Sequence, residues 1–128
     1  MTVSDLAGVD TKALMDSIDG DTELLDTLID IFLSNSTDLI GEMQQAIESG
    51  DCPTICSVAH SLKGAVSTFS AGNALHAAMT VESLARDADL DGATEAFHRL
   101  RSEVDHLIHE LAELRSGEAK LAVASNFP

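Results

Sequence analysis

"TELLDTLIDIFLSNSTDLIGEMQQAIE", residues 22–48, decides the fold. Within it Leu25, Leu28, Phe32, Leu39, Met43 and Ile47 recur mostly at three- and four-residue intervals, and Leu24, Ile29, Leu33 and Ile40 broaden the stripe. That period belongs to one long amphipathic helix; a strand would alternate every second residue. "DGD" at 19–21 breaks the chain before it, with Asp21 or Thr22 placed to cap, and "SGD" at 49–51 ends it. "SNST" at 34–37 is the weakest part, a run of poor helix formers where a bend is expected. One amphipathic helix cannot bury its own stripe, so the rest of the chain must supply partners.

Three further helices answer that need. Asp51 can cap a helix over 51–69, with Pro53 in the first turn, where a missing N–H does no harm. Ile55, Val58, Ala59, Leu62, Ala65, Val66 and Phe69 share one face of it. "SAGN" at 70–73 is a turn, and the next helix, 73–88, is expected to carry Leu75, Ala78, Met79 and Ala85 on its inner side. After "DADLDG", a helix over 91–115 places Phe97, Leu100, Val104, Leu107, Ile108, Leu111 and Leu114 at near-heptad spacing, as in a bundle seam. "DTKALMDSI" at 10–18 predicts a short additional N-terminal helix. The expected fold is all-α, an up-down-up-down four-helix bundle with that short helix as a lid. Residues 1–9 are read as an N-terminal extension, 10–115 as the bundle, and 116–128 as a tail without clear period, either flexible or packed through "KLAVA".

Composition narrows the class. A chain of 128 residues favours one domain, and 45% apolar residues argue against wholesale disorder. With no Trp or Tyr, the interior must be built from Leu, Ile, Val, Ala and Met. The net charge of −15 repels phosphate backbones and anionic lipids, which counts against nucleic acid and membrane surfaces as partners. The acidic excess serves solubility, or steers the chain to a basic partner. The opening "MTVSDLAGVD" lacks the basic and apolar regions of a secretory signal, and no apolar run reaches the roughly 18 residues of a membrane span. With two cysteines and no such signal, a reduced, cytoplasmic setting is expected, and Met1 at the start suggests a free-standing protein.

Within "CSVAHSLKGAVSTF", residues 56–69, the helical wheel turns His60, Lys63, Gly64 and Ser67 away from the apolar face. His60 and Lys63 stand three residues apart and His60 and Gly64 four, so all three are surface neighbours. A mid-helix glycine costs roughly 0.5–1 kcal/mol relative to alanine, and core packing does not ask for one on that side. A neutral imidazole is a competent nucleophile at cellular pH. A lysine one turn away can hold the oxygens of a phosphoryl group on the ring, and a glycine leaves a flat patch for another protein's active site. An exposed histidine alone would carry no meaning; the three residues together describe a landing site for a phosphoryl group.

"AHSLKGA", residues 59–65, resembles the phosphorylation motif of histidine-containing phosphotransfer (HPt) domains, H-x-L-K-G followed by small residues. The resemblance runs from about Asp10 to Leu114: "DIFLSNSTDLIGEMQQAIESGD", 30–51, is similar to the family's long helix and acidic turn, and "VESLAR", 81–86, sits where it often has a Leu-Glu pair. It implies His60 as phosphoacceptor through Nε2, Lys63 as the residue that steadies the phosphoryl oxygens, and Gly64 and Ser67 as docking surface. It implies Glu82 as the acceptor of a hydrogen bond from the imidazole Nδ1, fixing the tautomer. That role would account for a carboxylate in the same wheel sector as Leu75 and Met79. Ser70 replaces a common glycine and Val81 a usual leucine, which touches turn and packing but not chemistry. The implied function is a phosphorelay intermediate between response-regulator receiver domains and a sensor or hybrid histidine kinase. It is a carrier and not an enzyme, without a cofactor of its own; the divalent metal, Mg²⁺, is expected on the partner receiver.

Two other classes stay in view. A docking module of the same fold that carries no phosphate would need none of His60, Lys63 and Gly64. A metal- or redox-responsive bundle would use Cys52, Cys56 and His60, spaced four apart, but C-x-x-x-C without a second cysteine pair is a poor ligand set. His106, His109 and Glu110 do not form H-E-x-x-H, and His76 and His98 point outward. No glycine-rich nucleotide loop is present, so phosphate taken directly from ATP is not expected.

Overall fold

The structure, a computed structural model, describes residues 16–69 and 72–114. Among them it has four α-helices and no strand: α1 Thr22–Glu48, α2 Cys52–Ser67, α3 Gly72–Arg86 and α4 Leu90–Leu114. Consecutive helices are joined by short turns and pack against each other, so neighbours run antiparallel, and α4 closes the ring on α1. The architecture is the expected all-α bundle. Asp16 and Ser17 are helical and lead through a turn into α1, but the remainder of the expected N-terminal helix, the 1–9 extension and the 116–128 tail lie outside the described residues.

Local chemistry explains the element ends. The Asp21 carboxylate accepts from the Leu24 N–H at 3.0 Å to open α1. Asp51 accepts from the Thr54 N–H at 3.2 Å and its hydroxyl at 2.6 Å to open α2, which holds the Asp51 carboxyl below its ordinary range. Gly50, at φ +69°, supplies the left-handed residue that turns α1 into α2. Ala88 does the same between α3 and α4 at φ +59°, a conformation a β-carbon disfavours.

The core is a continuous apolar cluster drawn from all four helices, with Ile29, Met43, Ile55, Leu62, Val66, Leu100, Leu107 and Leu111 fully buried. Phe69, expected at the end of a helix, sits in the turn after α2 and stacks edge-on against Phe32, centroids 5.3 Å apart.

α1 continues through the "SNST" run as the one long helix expected; Ser36 is buried and Thr37 donates back to the Leu33 carbonyl at 2.9 Å, satisfying its hydroxyl within the helix. Other sequence expectations are corrected. Leu24 stands 41% exposed, off the core. On α3 the inner side is Ala74, Ala77, Ala78, Val81 and Ala85, whereas Met79 is 49% exposed and Leu75 only half-buried. Small alanines let α3 approach its neighbours closely, so its true inner face is less hydrophobic than the flank that carries leucine and methionine.

Candidate functional site

α2 presents its outer face as the wheel predicts for His60, Gly64 and Ser67, all exposed. The His60 side chain is 68% exposed. Among the described residues a β-carbon at Gly64 would meet nothing within 4 Å, so no packing demand from them explains the glycine. Ser67 turns its hydroxyl back to the Gly64 carbonyl at 2.8 Å. Lys63 departs from the outward reading. It leans over α3 and is 31% exposed.

The reason is Glu82. This carboxylate lies at the edge of the inner face of α3, its side chain 8% exposed, with one oxygen towards each of two residues on α2. Oε2 lies 2.9 Å from His60 Nδ1, and Oε1 accepts from Lys63 Nζ at 2.9 Å. Arg86, one turn further along α3, brings Nη2 to 3.4 Å from Oε2. Hydrogen bonds from Lys63 and then His60 hold the Glu82 carboxyl below its ordinary range, outweighing the burial that would raise it.

An ionised carboxylate facing Nδ1 fixes the ring's state. Nδ1 carries the proton and donates it, which leaves the Nε2 lone pair outward on the exposed side. The carboxylate also lowers the energy of any cationic form of the ring. The result is a nucleophilic nitrogen held at a fixed angle on a rigid helix, with two cations alongside in a protein of net charge −15.

The structure thus brings together His60, Lys63 and Glu82 and leaves Gly64 and Ser67 on the open face beside them. Sequence reasoning missed Arg86; its position four residues after Glu82 was the available signal. Cys52 and Cys56 are free and half-buried on α2, and among the described residues no three His, Cys, Asp or Glu side chains converge as metal ligands. No helix among the described residues is long and apolar enough to cross a membrane.

The Hpt domain family model matches residues 27–116. No curated protein and no solved structure matches the chain. Covering most of the sequence and both helices of the site, the match places the chain in the Hpt domain family, whose members are phosphocarrier modules of histidine phosphotransfer in phosphorelay signalling.

Proposed function

We propose that this Hpt-domain chain carries its phosphoryl group on His60 Nε2, taking it from the aspartyl phosphate of a receiver domain or from a histidine kinase and delivering it to the aspartate of another receiver. The observation that carries the reading is an exposed ring whose Nδ1 is held by a buried, ionised carboxylate.

The step balances simply. The Nε2 lone pair attacks phosphorus as the bond from phosphorus to the aspartyl oxygen breaks, and the aspartate leaves as a carboxylate with the bonding electron pair. The ring, protonated on Nδ1 and phosphorylated on Nε2, is then cationic, and Glu82 lies against that positive charge. No proton need leave Nε2. Delivery to a receiver reverses the step: the receiver aspartate attacks phosphorus as the N–P bond breaks, and the ring leaves as a neutral imidazole with the bonding electron pair. Lys63 and Arg86 both rest on Glu82. A phosphoryl group on Nε2 offers either cation a second anionic partner within reach of a side-chain rotation, and steadying those oxygens is the role assigned to Lys63.

The chain supplies a nucleophile on a rigid platform, and docking supplies orientation. Activation of the phosphoryl group, with Mg²⁺, is assigned to the receiver. The functional unit is taken as residues 10–115, with Gly64 and Ser67 in the docking surface. Incubation with labelled phospho-receiver tests the reading: wild type takes up label and His60→Gln does not, whereas equal labelling of the two refutes it.

A further inference from the structure

The outer side of the α3–α4 interface is left unfilled. At Ala77, Gly92 and Ala96 neither helix carries a side chain long enough to close the space between them. A groove of about 340 Å³ results, floored by those residues and Leu84. Its rim is polar, with His76 and Thr80 from α3 and Glu95 and Arg99 from α4. An apolar floor under a few polar groups, at the small end of the size range of ligand clefts, is the make-up of a small-molecule site. His76, Thr80 and Leu84 fall on successive turns of the flank of α3 opposite Glu82, so the groove is separate from the His60 centre.

The polar groups have an order. Because α3 and α4 run antiparallel, His76 and Arg99 share one end of the groove, and Leu84 and Gly92 share the other, about 12 Å along the helices. Glu95 stands one turn before Arg99, between the two ends. From one end to the other the groove offers two nitrogen donors, then a carboxylate, then apolar surface.

These charges are unspent. Among the described residues Lys63 and Arg86 lean on Glu82, and Arg101 reaches Gln44 at 3.4 Å. Arg99 makes no hydrogen bond or ion pair with its side chain, in a chain that has 22 acidic residues to offer. Glu95 is likewise without a partner, although the two are four residues apart in the order that favours an ion pair. Both line the groove instead.

We propose that the α3–α4 groove binds a small zwitterion with an apolar tail, of the class of apolar α-amino acids. The Arg99 fork and the His76 ring take the carboxylate, Glu95 takes the ammonium, and the tail lies over Ala77, Ala96 and Leu84. The Thr80 hydroxyl donates to the His76 carbonyl at 3.0 Å, which leaves its lone pairs to accept from the same ammonium. A simple anion meets Glu95 and a simple cation meets Arg99; a molecule carrying both charges on one carbon, with an apolar tail, matches the order of the groove. Binding there does not depend on His60.

The test is a titration of the full chain with three probes, followed by NMR on the backbone amides. Phenylalanine is expected to shift amides of residues 76–84 and 92–99 and to saturate with a Kd on the order of 1 mM. Phenylpropionate, which lacks the ammonium, and phenethylamine, which lacks the carboxylate, are each expected to bind about tenfold more weakly. Arg99→Gln should weaken phenylalanine about tenfold and leave phenethylamine unchanged, whereas Glu95→Gln should weaken phenylalanine and leave phenylpropionate no weaker. Ala96→Leu fills the floor and should abolish binding of all three. Arg101→Gln, on α4 but against Gln44 and outside the groove, should change nothing. Circular dichroism checks that each variant keeps its helices. No saturable shift in wild type with any probe overturns the site. Equal affinity for the three probes, or equal losses in Arg99→Gln and Arg101→Gln, overturns the assigned ligand class.

Discussion

Glu82 Oε2 sits 2.9 Å from His60 Nδ1 although the two residues are 22 positions apart on different helices. The carboxylate is almost fully buried and the ring is mostly exposed, so the contact joins the bundle interior to its reactive surface. Through it the scaffold sets the tautomer and angle of a ring that otherwise touches little else.

Glu82→Gln keeps an oxygen for Nδ1 but removes the charge that answers a cationic ring, and Glu82→Ala removes both. Receiver-to-His60 transfer is expected to fall several-fold in the first and about tenfold or more in the second. Label-transfer kinetics at fixed receiver concentration check this ordering; equal rates for the two would separate Glu82 from the ring chemistry.

The depressed Glu82 carboxyl also has a stability consequence. Its folded-state pKa lies below the unfolded value, so its contribution is fully present above the unfolded value and is lost as pH falls through the folded one. Wild type should therefore lose more stability on acidification than Glu82→Gln does. Denaturant titrations at neutral pH and at a pH below the ordinary carboxylate range measure the difference.

Lys63→Ala leaves Glu82 with His60 and Arg86 but removes the nearer of the two cations. Transfer should slow by about tenfold, or the lifetime of the phosphorylated chain should shorten, with Arg86→Ala giving a smaller effect from its longer contact. Acid-quenched time courses read both quantities. Unchanged rate and lifetime in Lys63→Ala would remove its assigned role.

At Gly64 stability and activity should move in opposite directions. Space for a β-carbon is open, so Gly64→Ala is expected to stabilise the helix by about 0.5–1 kcal/mol. Gly64→Gln should remain folded and lose receiver binding, because its side chain occupies the approach to His60. Thermal melts and binding assays on the same preparations test the pair.

Glu110, on α4, is 6% exposed, and its Oε2 has no hydrogen-bond partner among the described residues. Burial, with Glu113 nearby, raises its carboxyl above the ordinary range. A raised folded-state pKa gives a contribution present below the unfolded value and lost as pH rises through the folded one. Glu110→Leu should therefore stabilise the protein by about 1 kcal/mol at neutral pH, and by less in acid, where the wild-type carboxyl is neutral. A gain independent of pH would point to packing alone.

The sequence by itself determined the four helices, their caps and the outward turn of His60 and Gly64, because apolar period and capping chemistry act within a few residues. Resemblance to a family added Glu82, whose wheel position was legible as odd even though its supposed companion Met79 proved exposed. Hydrophobicity ranks leucine and methionine above alanine, and on an alanine-packed helix that ranking points to the flank. What only the tertiary structure decided depends on how helices rotate against each other: Lys63 committed to a carboxylate 19 positions away, Arg86 drawn to the same group, Met79 left on the surface, Glu110 shut inside. Periodicity names the face of a helix. The depth to which each edge residue sinks is set by the neighbours that close over it.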